Sequence, residues 1–222
     1  MSAAPVLSIV LPVLAGGQAV DGELAAQTAA LEQFVRSIDP GGELIVSGVG
    51  VSRMIPASGG SAMTRALDVH EPGFGPATRA GLQAARGEYV LTLDAHAAQP
   101  HEVARDLWEQ RGRGEIVVAS RYVEGARAGM SVPRRIASRV VNRVFGRGLS
   151  LPVTDLSSAF RLYRGDVLRS QRLDAADYDL LPELLVRALA AGWRVAEIPL
   201  RTELSRRSRD VGPLVRLGRA YA

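Results

Sequence analysis

The sequence predicts an α/β domain with a mostly parallel central sheet flanked by helices. Short apolar runs alternate with longer segments of helical periodicity through residue 120, which is the pattern of strands joined by crossover helices. The most informative run is Tyr89–Leu93, whose aromatic, β-branched and aliphatic residues predict a buried strand that ends at Asp94. Ligands of open α/β sheets bind beyond the carboxyl ends of the strands, so a ligand or a metal would be met at Asp94. Spacing alone favours a simpler interpretation, in which Asp94 caps the helix that follows.

The composition is that of a globular protein and excludes several classes. Of 222 residues, 47% are hydrophobic and 23% charged, which suits one domain, predicted to span residues 1–222. The absence of cysteine excludes disulfides and thiolate metal sites. The net charge is only +4, and no aromatic interleaving or motif supports nucleic-acid binding. No apolar run has the length of a membrane span, so we expect a cytoplasmic protein or one peripheral to a membrane.

The first two strands enclose a long helix. The first strand covers residues 6–12 and ends in Pro12, and the second covers Glu43–Ser47. Between them a helix is predicted to begin near Asp21, a suitable N-cap residue, and to end at the turn 40–42. One face of this helix is apolar and carries Leu24, Leu31, Val35 and Ile38.

A glycine turn precedes the next predicted helix. Residues 52–62 are predicted to be a loop, and Thr64–Val69 a weak third strand. Gly73 and Gly75 then introduce a helix that carries Arg79. Such a turn can bind a phosphate on backbone N–H groups, although a tight turn alone would explain the same glycines.

The elements after the central strand continue the alternation. Residues 101–112 predict a helix, and Glu115–Ala119 predicts a fifth strand. The inward face of that helix carries Val103, Leu107 and Trp108.

A basic amphipathic helix is predicted over residues 133–148. Its arginines recur every four residues at Arg135, Arg139, Arg143 and Arg147, beside an apolar row of Ile136, Val140 and Val144. The pattern is typical of a helix on an anionic membrane surface, and equally of a helix packed on a sheet with a charged outer face. The tail, about 201–222, is also basic.

Several strings taken together resemble family 2 glycosyltransferases, above all the dolichol- and polyprenyl-phosphate mannose synthase group. They are the glycine turn and helix at 73–82, ARGEYV at 85–90, Asp-Ala-His at 94–96, SRY at 120–122 and LPVTDLSSAFRLYR at 151–164. The resemblance covers residues 6–210, and the joint matches are far more specific than any one alone. It implies the GT-A fold and an inverting transfer of a sugar from a nucleotide sugar to an isoprenoid phosphate or similar acceptor.

On the donor side, the resemblance implies a nucleotide site and a metal site. The implied nucleotide contacts are Pro12, Gly73, Gly75 and Arg79. The family's Asp-x-Asp motif reads Asp94-Ala95-His96 here, so Asp94 and His96 are the implied ligands of Mg²⁺ or Mn²⁺. A protonated His96 could instead replace the charge of the metal. Gly48 and Val49 occupy the positions of two family carboxylates.

On the acceptor side, the resemblance implies a phosphate site built from guanidinium groups. The implied phosphate contacts are Arg121, Arg134, Ser138 and Arg161. Guanidinium forks hold phosphate through charge-assisted hydrogen bonds, although spacing alone would favour a solvated arginine face. Asp155 matches the family carboxylate near the reacting centre, so Asp94 and Asp155 are the implied catalytic residues.

The acidic residues that the family has and this sequence lacks, at Gly48, Val49 and His96, all lie on the donor side, and their loss leaves a second function open. A protein of this kind could have kept the fold and the phosphate-binding half while losing nucleotide-sugar binding. It would then bind a prenyl phosphate or diphosphate, act on it by other chemistry, or serve as a non-catalytic partner.

Overall fold

The computed structural model describes residues 4–14, 21–55, 63–95, 97–127, 152–173, 177 and 179–202. In these parts of the chain no helix combines the length and the apolar character needed to cross a bilayer. The predicted basic helix at 133–148 and the tail after residue 202 lie outside the described residues.

A seven-stranded sheet forms the centre of the molecule. Its strands are β1 (Leu7–Val13), β2 (Glu43–Gly48), β3 (Thr64–Asp68), β4 (Tyr89–Thr92), β5 (Ile116–Ser120), β6 (Arg161–Arg164) and β7 (Val195–Pro199). Their order across the sheet is β3-β2-β1-β4-β6-β5-β7. Strand β6 pairs antiparallel with both β4 and β5, and all other pairs are parallel. The predicted mostly parallel sheet is confirmed, with Asp94 just beyond its middle strand.

Helices cover both faces of the sheet. They are α1 (Asp21–Ile38), α2 (Val51–Met54), α3 (Phe74–Ala84), α4 (Pro100–Glu109), α5 (Gly165–Arg169) and α6 (Leu180–Ala190), with a 3₁₀ turn at Arg111–Arg113. The predicted strands and helices through residue 120 lie within a few residues of these bounds. The predicted loop at 52–62 begins instead with the last residues of α2.

Two hydrophobic cores lie on opposite faces of the sheet, because successive strand residues point to opposite sides. Helices α1 and α4 pack on one face, where Leu31, Val35 and Leu107 belong to the same core as Ile9 of β1. Helices α3, α5 and α6 cover the other face with Leu82, Val167, Leu168, Leu184 and Leu185. Burial of both faces explains why the central strands read as nearly continuous apolar runs.

The buried carboxylate of Glu43 connects neighbouring segments at the amino edge of the sheet through hydrogen bonds and ion pairs. Glu43, only 3% exposed, accepts hydrogen bonds from the Ser8 hydroxyl (2.7 Å), the Arg86 amide (2.8 Å) and the Arg86 guanidinium (3.0 Å). Arg65 of β3 forms an ion pair with the same side chain at 3.1 Å. Ser8 in turn accepts the Gly87 amide at 2.8 Å. These contacts fix the start of β4, and through β4 they position Asp94 at the opposite edge.

Candidate active site

Asp94 and Arg121 both lie at the carboxyl edge of the sheet, just beyond β4 and β5. Asp94 is half-buried beyond β4, and its backbone carbonyl accepts the amide of Ala97 at 3.1 Å in a tight turn. Arg121 directly follows β5. The negative charges of Asp155 and Asp94 both help to raise the pKa of Arg121, against the effect of burial. A carboxylate and a guanidinium therefore share the region where ligands of such sheets bind.

Arg121 is held by the buried carboxylate of Asp155. Its Nε and Nη2 donate to the two carboxylate oxygens at 2.8 and 2.6 Å, and its backbone amide donates to Oδ2 at 2.9 Å. Nη2 also donates to the Ser157 hydroxyl at 2.7 Å. The side chains of Arg121 and Asp155 are 11% and 0% exposed. Among the hydrogen bonds between described residues, none is donated by Nη1 of Arg121.

These contacts determine whether Asp155 can accept a proton as a general base. Burial by itself would raise the pKa of the Asp155 carboxyl, but the charge and hydrogen bonds of Arg121 lower it overall. Asp155 is therefore ionised at neutral pH with both oxygens already accepting hydrogen bonds. A carboxylate in this state orients its guanidinium partner and is poorly suited to accept a further proton.

Glu197 of β7 anchors the loop that carries Asp155. One of its carboxylate oxygens accepts the Thr154 amide at 2.8 Å, and the other accepts the Asp155 amide at 3.0 Å. The Thr154 hydroxyl also bonds to this carboxylate at 2.9 Å. Glu197 lies within the span 6–210 of the family resemblance, and the sequence analysis assigned it no role, since its partners lie more than 40 positions away along the chain.

Arg161 does not lie where the sequence placed it. The side chain was predicted to contact the acceptor phosphate, but it is fully buried at the start of β6. Its guanidinium donates to three backbone carbonyls, those of Ser158 (2.8 Å), Leu181 (2.7 Å) and Leu156. Arg161 thus connects the 156–158 loop to α6 and has no surface on which to receive a ligand.

The glycine turn lies at the amino end of α3, as predicted. Gly73 precedes the helix with φ 142°, a conformation that favours glycine, and Gly75 is buried in the first turn. The first amides of a helix have no intrahelical acceptor, and this is why the amino end of a helix after a glycine turn suits an anion. Arg79 lies one turn further along, half-buried. Pro12, by contrast, is buried inside β1 opposite Ser47.

The end of β2 excludes one of the two missing family carboxylates on steric grounds. A Cβ at Gly48 would lie 2.3 Å from the backbone oxygen of Val13 on the neighbouring strand. Val49, the next residue, is 38% exposed and has no such restriction. Position 48 is therefore closed to an aspartate in this backbone, while position 49 is open to one.

The described residues do not by themselves form a metal site. Among them no three His, Asp or Glu side chains lie close enough to hold an ion. Both oxygens of the Asp155 carboxylate accept hydrogen bonds from Arg121. The remaining predicted site residues, His96, Arg134 and Ser138, lie outside the described residues.

A known family model matches the part of the chain that carries these site residues. The family model for Glycosyl transferase family 2 matches residues 65–171, which include Asp94, Arg121 and Asp155. The match covers the glycine turn, the central strand and the loop before β6.

Two curated relatives align over a similar region. Undecaprenyl-phosphate mannosyltransferase of Micrococcus luteus is 31% identical over 121 residues, which cover 52% of this chain and 49% of that protein. Polyprenol monophosphomannose synthase of Mycolicibacterium smegmatis is 31% identical over 136 residues, covering 58% and 51%. The alignments thus span about half the length of these relatives.

Solved structures share the fold across nearly the whole chain. Glucosyl-3-phosphoglycerate synthase of Mycobacterium tuberculosis superimposes with a TM-score of 0.69 at 19% identity, covering 97% of this chain and 77% of that one. Its complex with Mn²⁺, UDP and glucosyl-3-phosphoglycerate gives a TM-score of 0.67, also at 19% identity, with 96% and 75% coverage. At this identity the likeness shows the fold alone, and it confirms the GT-A architecture.

Proposed function

We propose that this chain, whose residues 65–171 match the family model for Glycosyl transferase family 2, transfers a sugar from a nucleotide sugar to a polyprenyl phosphate or related phosphorylated acceptor. The observation that carries the proposal is the position of Asp94 and Arg121 at the carboxyl edge of the sheet, inside the matched region, where the charge of Asp94 helps to raise the pKa of Arg121. The two 31%-identical relatives are named for undecaprenyl-phosphate and polyprenol substrates, which supports this acceptor class.

In this proposal Arg121 binds the acceptor phosphate through its Nη1 edge. Charge-assisted hydrogen bonds of this kind contribute about 1.5–3 kcal/mol each. Asp155 does not touch the substrate and instead holds the guanidinium in place, a change from the catalytic role that the family pattern implies for it. Arg134 and Ser138 would complete the phosphate site.

The acceptor needs little help from a general base, since a phosphate monoester is already an anion at neutral pH. Catalysis then depends on holding the phosphate and the donor sugar in line, and on favourable charge around the leaving diphosphate. The amino end of α3, with Gly73, Gly75 and Arg79, would receive the diphosphate. Asp94 would contact the donor.

A divalent metal enters this proposal only through Asp94 and His96. They would supply a carboxylate oxygen and an imidazole nitrogen, leaving the other positions to the diphosphate and water. Bound there, the ion would neutralise the leaving diphosphate. The roles given to Arg121, Asp155 and α3 do not depend on it.

A transfer assay tests the proposal. The chain is incubated with nucleotide-activated mannose or glucose and either a short prenyl phosphate or 3-phosphoglycerate, with and without Mn²⁺, and products are detected by mass spectrometry. We expect a glycosylated prenyl phosphate from the parent chain. Asp94→Asn should abolish transfer, whereas Asp106→Asn, a carboxylate on α4 away from this edge, should leave it unchanged.

The closed position at Gly48 favours a second candidate function, a prenyl-phosphate binder that has lost nucleotide-sugar binding. Direct binding of the prenyl phosphate separates the two. Binding that Arg134→Ala weakens, combined with no transfer from any nucleotide sugar, would support the second candidate and reject the first. Absence of prenyl-phosphate binding would reject both.

A further inference from the structure

A separate cleft opens between the carboxyl half of α3 and helix α5. Its volume is about 350 Å³. The floor is apolar and consists of Leu82, Val90 and Leu168, which belong to the core beneath α3 and α6 and are at most 7% exposed. Leu173 extends the apolar lining toward the surface. The cleft is therefore an opening into one of the two hydrophobic cores.

The cleft lies at the opposite end of β4 from the candidate active site. Val90 lies near the start of β4 and Asp94 lies just beyond its end. Four residues of extended chain separate them by roughly 13 Å. A ligand bound over Val90 would occupy a different site from one that meets Asp94.

The rim of the cleft is positively charged. Arg169 and Arg172 both line it, with the amides of Gln83 and Gln171, and none of the described lining residues is acidic. Charge and hydrogen-bond donors at the rim, above an apolar floor, are the features of a pocket that fixes one end of a ligand and buries the other.

The Arg169 guanidinium is held at this rim by a close approach to Gly165. A Cβ at position 165 would lie 2.5 Å from Nη1 and 2.9 Å from Nη2 of Arg169. Glycine therefore leaves the space in which the guanidinium lies against the backbone. Nη1 makes one long hydrogen bond, 3.5 Å, to the carbonyl of Gly87. A bond at this limit of length is weak and leaves strong donor capacity for an anion.

We propose that this cleft binds a small amphipathic anion, an organic carboxylate or phosphate ester with a short apolar chain. The anionic group bonds to Arg169, and the chain packs on Leu82, Val90 and Leu168. The volume lies within the range of about 300–1,000 Å³ that is usual for small-molecule sites. The inference does not depend on the proposed transferase activity, because the cleft shares no residue with that site.

Methyl NMR spectroscopy of the full chain tests this assignment with defined probes. Octanoate and octyl phosphate carry both features, octanol lacks the charge, and inorganic phosphate lacks the apolar chain. We expect octanoate and octyl phosphate to shift the methyl signals of Leu82, Val90 and Leu168 saturably. Octanol and inorganic phosphate should each bind at least about tenfold more weakly than octyl phosphate.

Two matched variants locate the anionic group. Arg169→Gln, which removes the charge but keeps a polar side chain, should weaken octanoate binding about tenfold or more. Arg36→Gln, at an exposed arginine of α1, should leave it unchanged. The ligand-free methyl spectrum of each variant reports whether its fold is retained, and Arg169→Met, which also removes the charge, replaces Arg169→Gln if that spectrum changes.

Three results would overturn the proposal. No saturable methyl shift with either anionic probe would show that the cleft binds no such ligand. Equal affinity for octanol and octanoate would remove the anion from the assignment. Unchanged octanoate binding by Arg169→Gln would remove Arg169 from the site.

Discussion

The Arg121 guanidinium donates two parallel N–H···O hydrogen bonds, of 2.8 and 2.6 Å, to the buried carboxylate of Asp155. Both residues come from loops beyond the sheet edge, and Glu197 of the last strand fixes the Asp155 loop in turn. The pair makes Arg121 a rigid donor. Arg121 is therefore also a structural residue, so its substitution is expected to change the stability of the fold as well as ligand binding.

Arg121→Ala should destabilise the fold by about 3–5 kcal/mol, because it leaves the Asp155 charge buried without its partner. The sequence analysis assigned Arg121 only to the acceptor phosphate, and the structure adds this role in stability. Urea denaturation of the variant measures the loss. The double variant Arg121→Met with Asp155→Leu removes both charges and should recover much of the stability. A loss below about 1 kcal/mol for Arg121→Ala would contradict a tight buried pair.

Gly48→Asp should destabilise the protein, while Val49→Asp should be tolerated. The new Cβ at position 48 would lie 2.3 Å from the Val13 carbonyl, and relieving that overlap should cost about 1–3 kcal/mol. Val49 is exposed, so its replacement should change the free energy of unfolding by less than about 0.5 kcal/mol. Thermal or urea unfolding of the two variants is the comparison. Equal stability of both would mean that β1 and β2 separate more easily than this packing allows.

Glu43 should make stability depend on pH below the ordinary carboxyl range. Burial would raise the pKa of Glu43, but the Arg86 amide, the Ser8 hydroxyl and the Arg86 guanidinium lower it overall from its usual value of 4.5. The unfolded chain then takes up the proton at higher pH than the folded protein. The stabilisation is present above about pH 4.5 and is lost as the pH falls through the folded-state pKa.

Urea midpoints between pH 7 and pH 3 measure this contribution. Glu43→Gln should lower stability at pH 7 by about 1–3 kcal/mol, since an amide cannot accept all of these hydrogen bonds. Its stability should also fall less than that of the parent between pH 5 and 3. Glu23→Gln, an exposed residue of α1, serves as the control and should follow the parent. Parallel pH profiles for the parent and Glu43→Gln would exclude Glu43 as a source of the pH dependence.

Nucleotide binding should depend little on a metal. His96 replaces an aspartate of the family motif, and Gly48 and Val49 supply no carboxylate. We expect Mn²⁺ to strengthen binding of a nucleoside diphosphate by less than about 1.4 kcal/mol, a factor of ten, in titration calorimetry. His96→Asp should increase that gain by restoring a hard oxygen ligand. Tight, strictly metal-dependent binding by the parent chain would show that Asp94 and His96 form a competent metal site.

Much of the fold was predictable because it depends on local patterns. The strands and helices through residue 120 follow from the spacing of apolar residues, and the turn at Gly73 follows from glycine before a helix. Asp94 was predicted at the end of a central strand, and it lies there. After residue 120 no periodicity predicted β6, α5, α6 or β7, and the family strings were the only guide.

The sequence by itself determined the α/β class, the central strand with Asp94 at its end, and the resemblance to family 2 glycosyltransferases. The tertiary structure decided which of these arginines lies at the candidate site and which is buried in the fold. Arg121 reaches a carboxylate 34 positions away at the sheet edge, while Arg161 is buried on backbone carbonyls up to 20 positions away. Both are arginines in matching family strings, and no local pattern separates them. The difference arises because β6 runs antiparallel between β4 and β5, which buries the first residue of that strand.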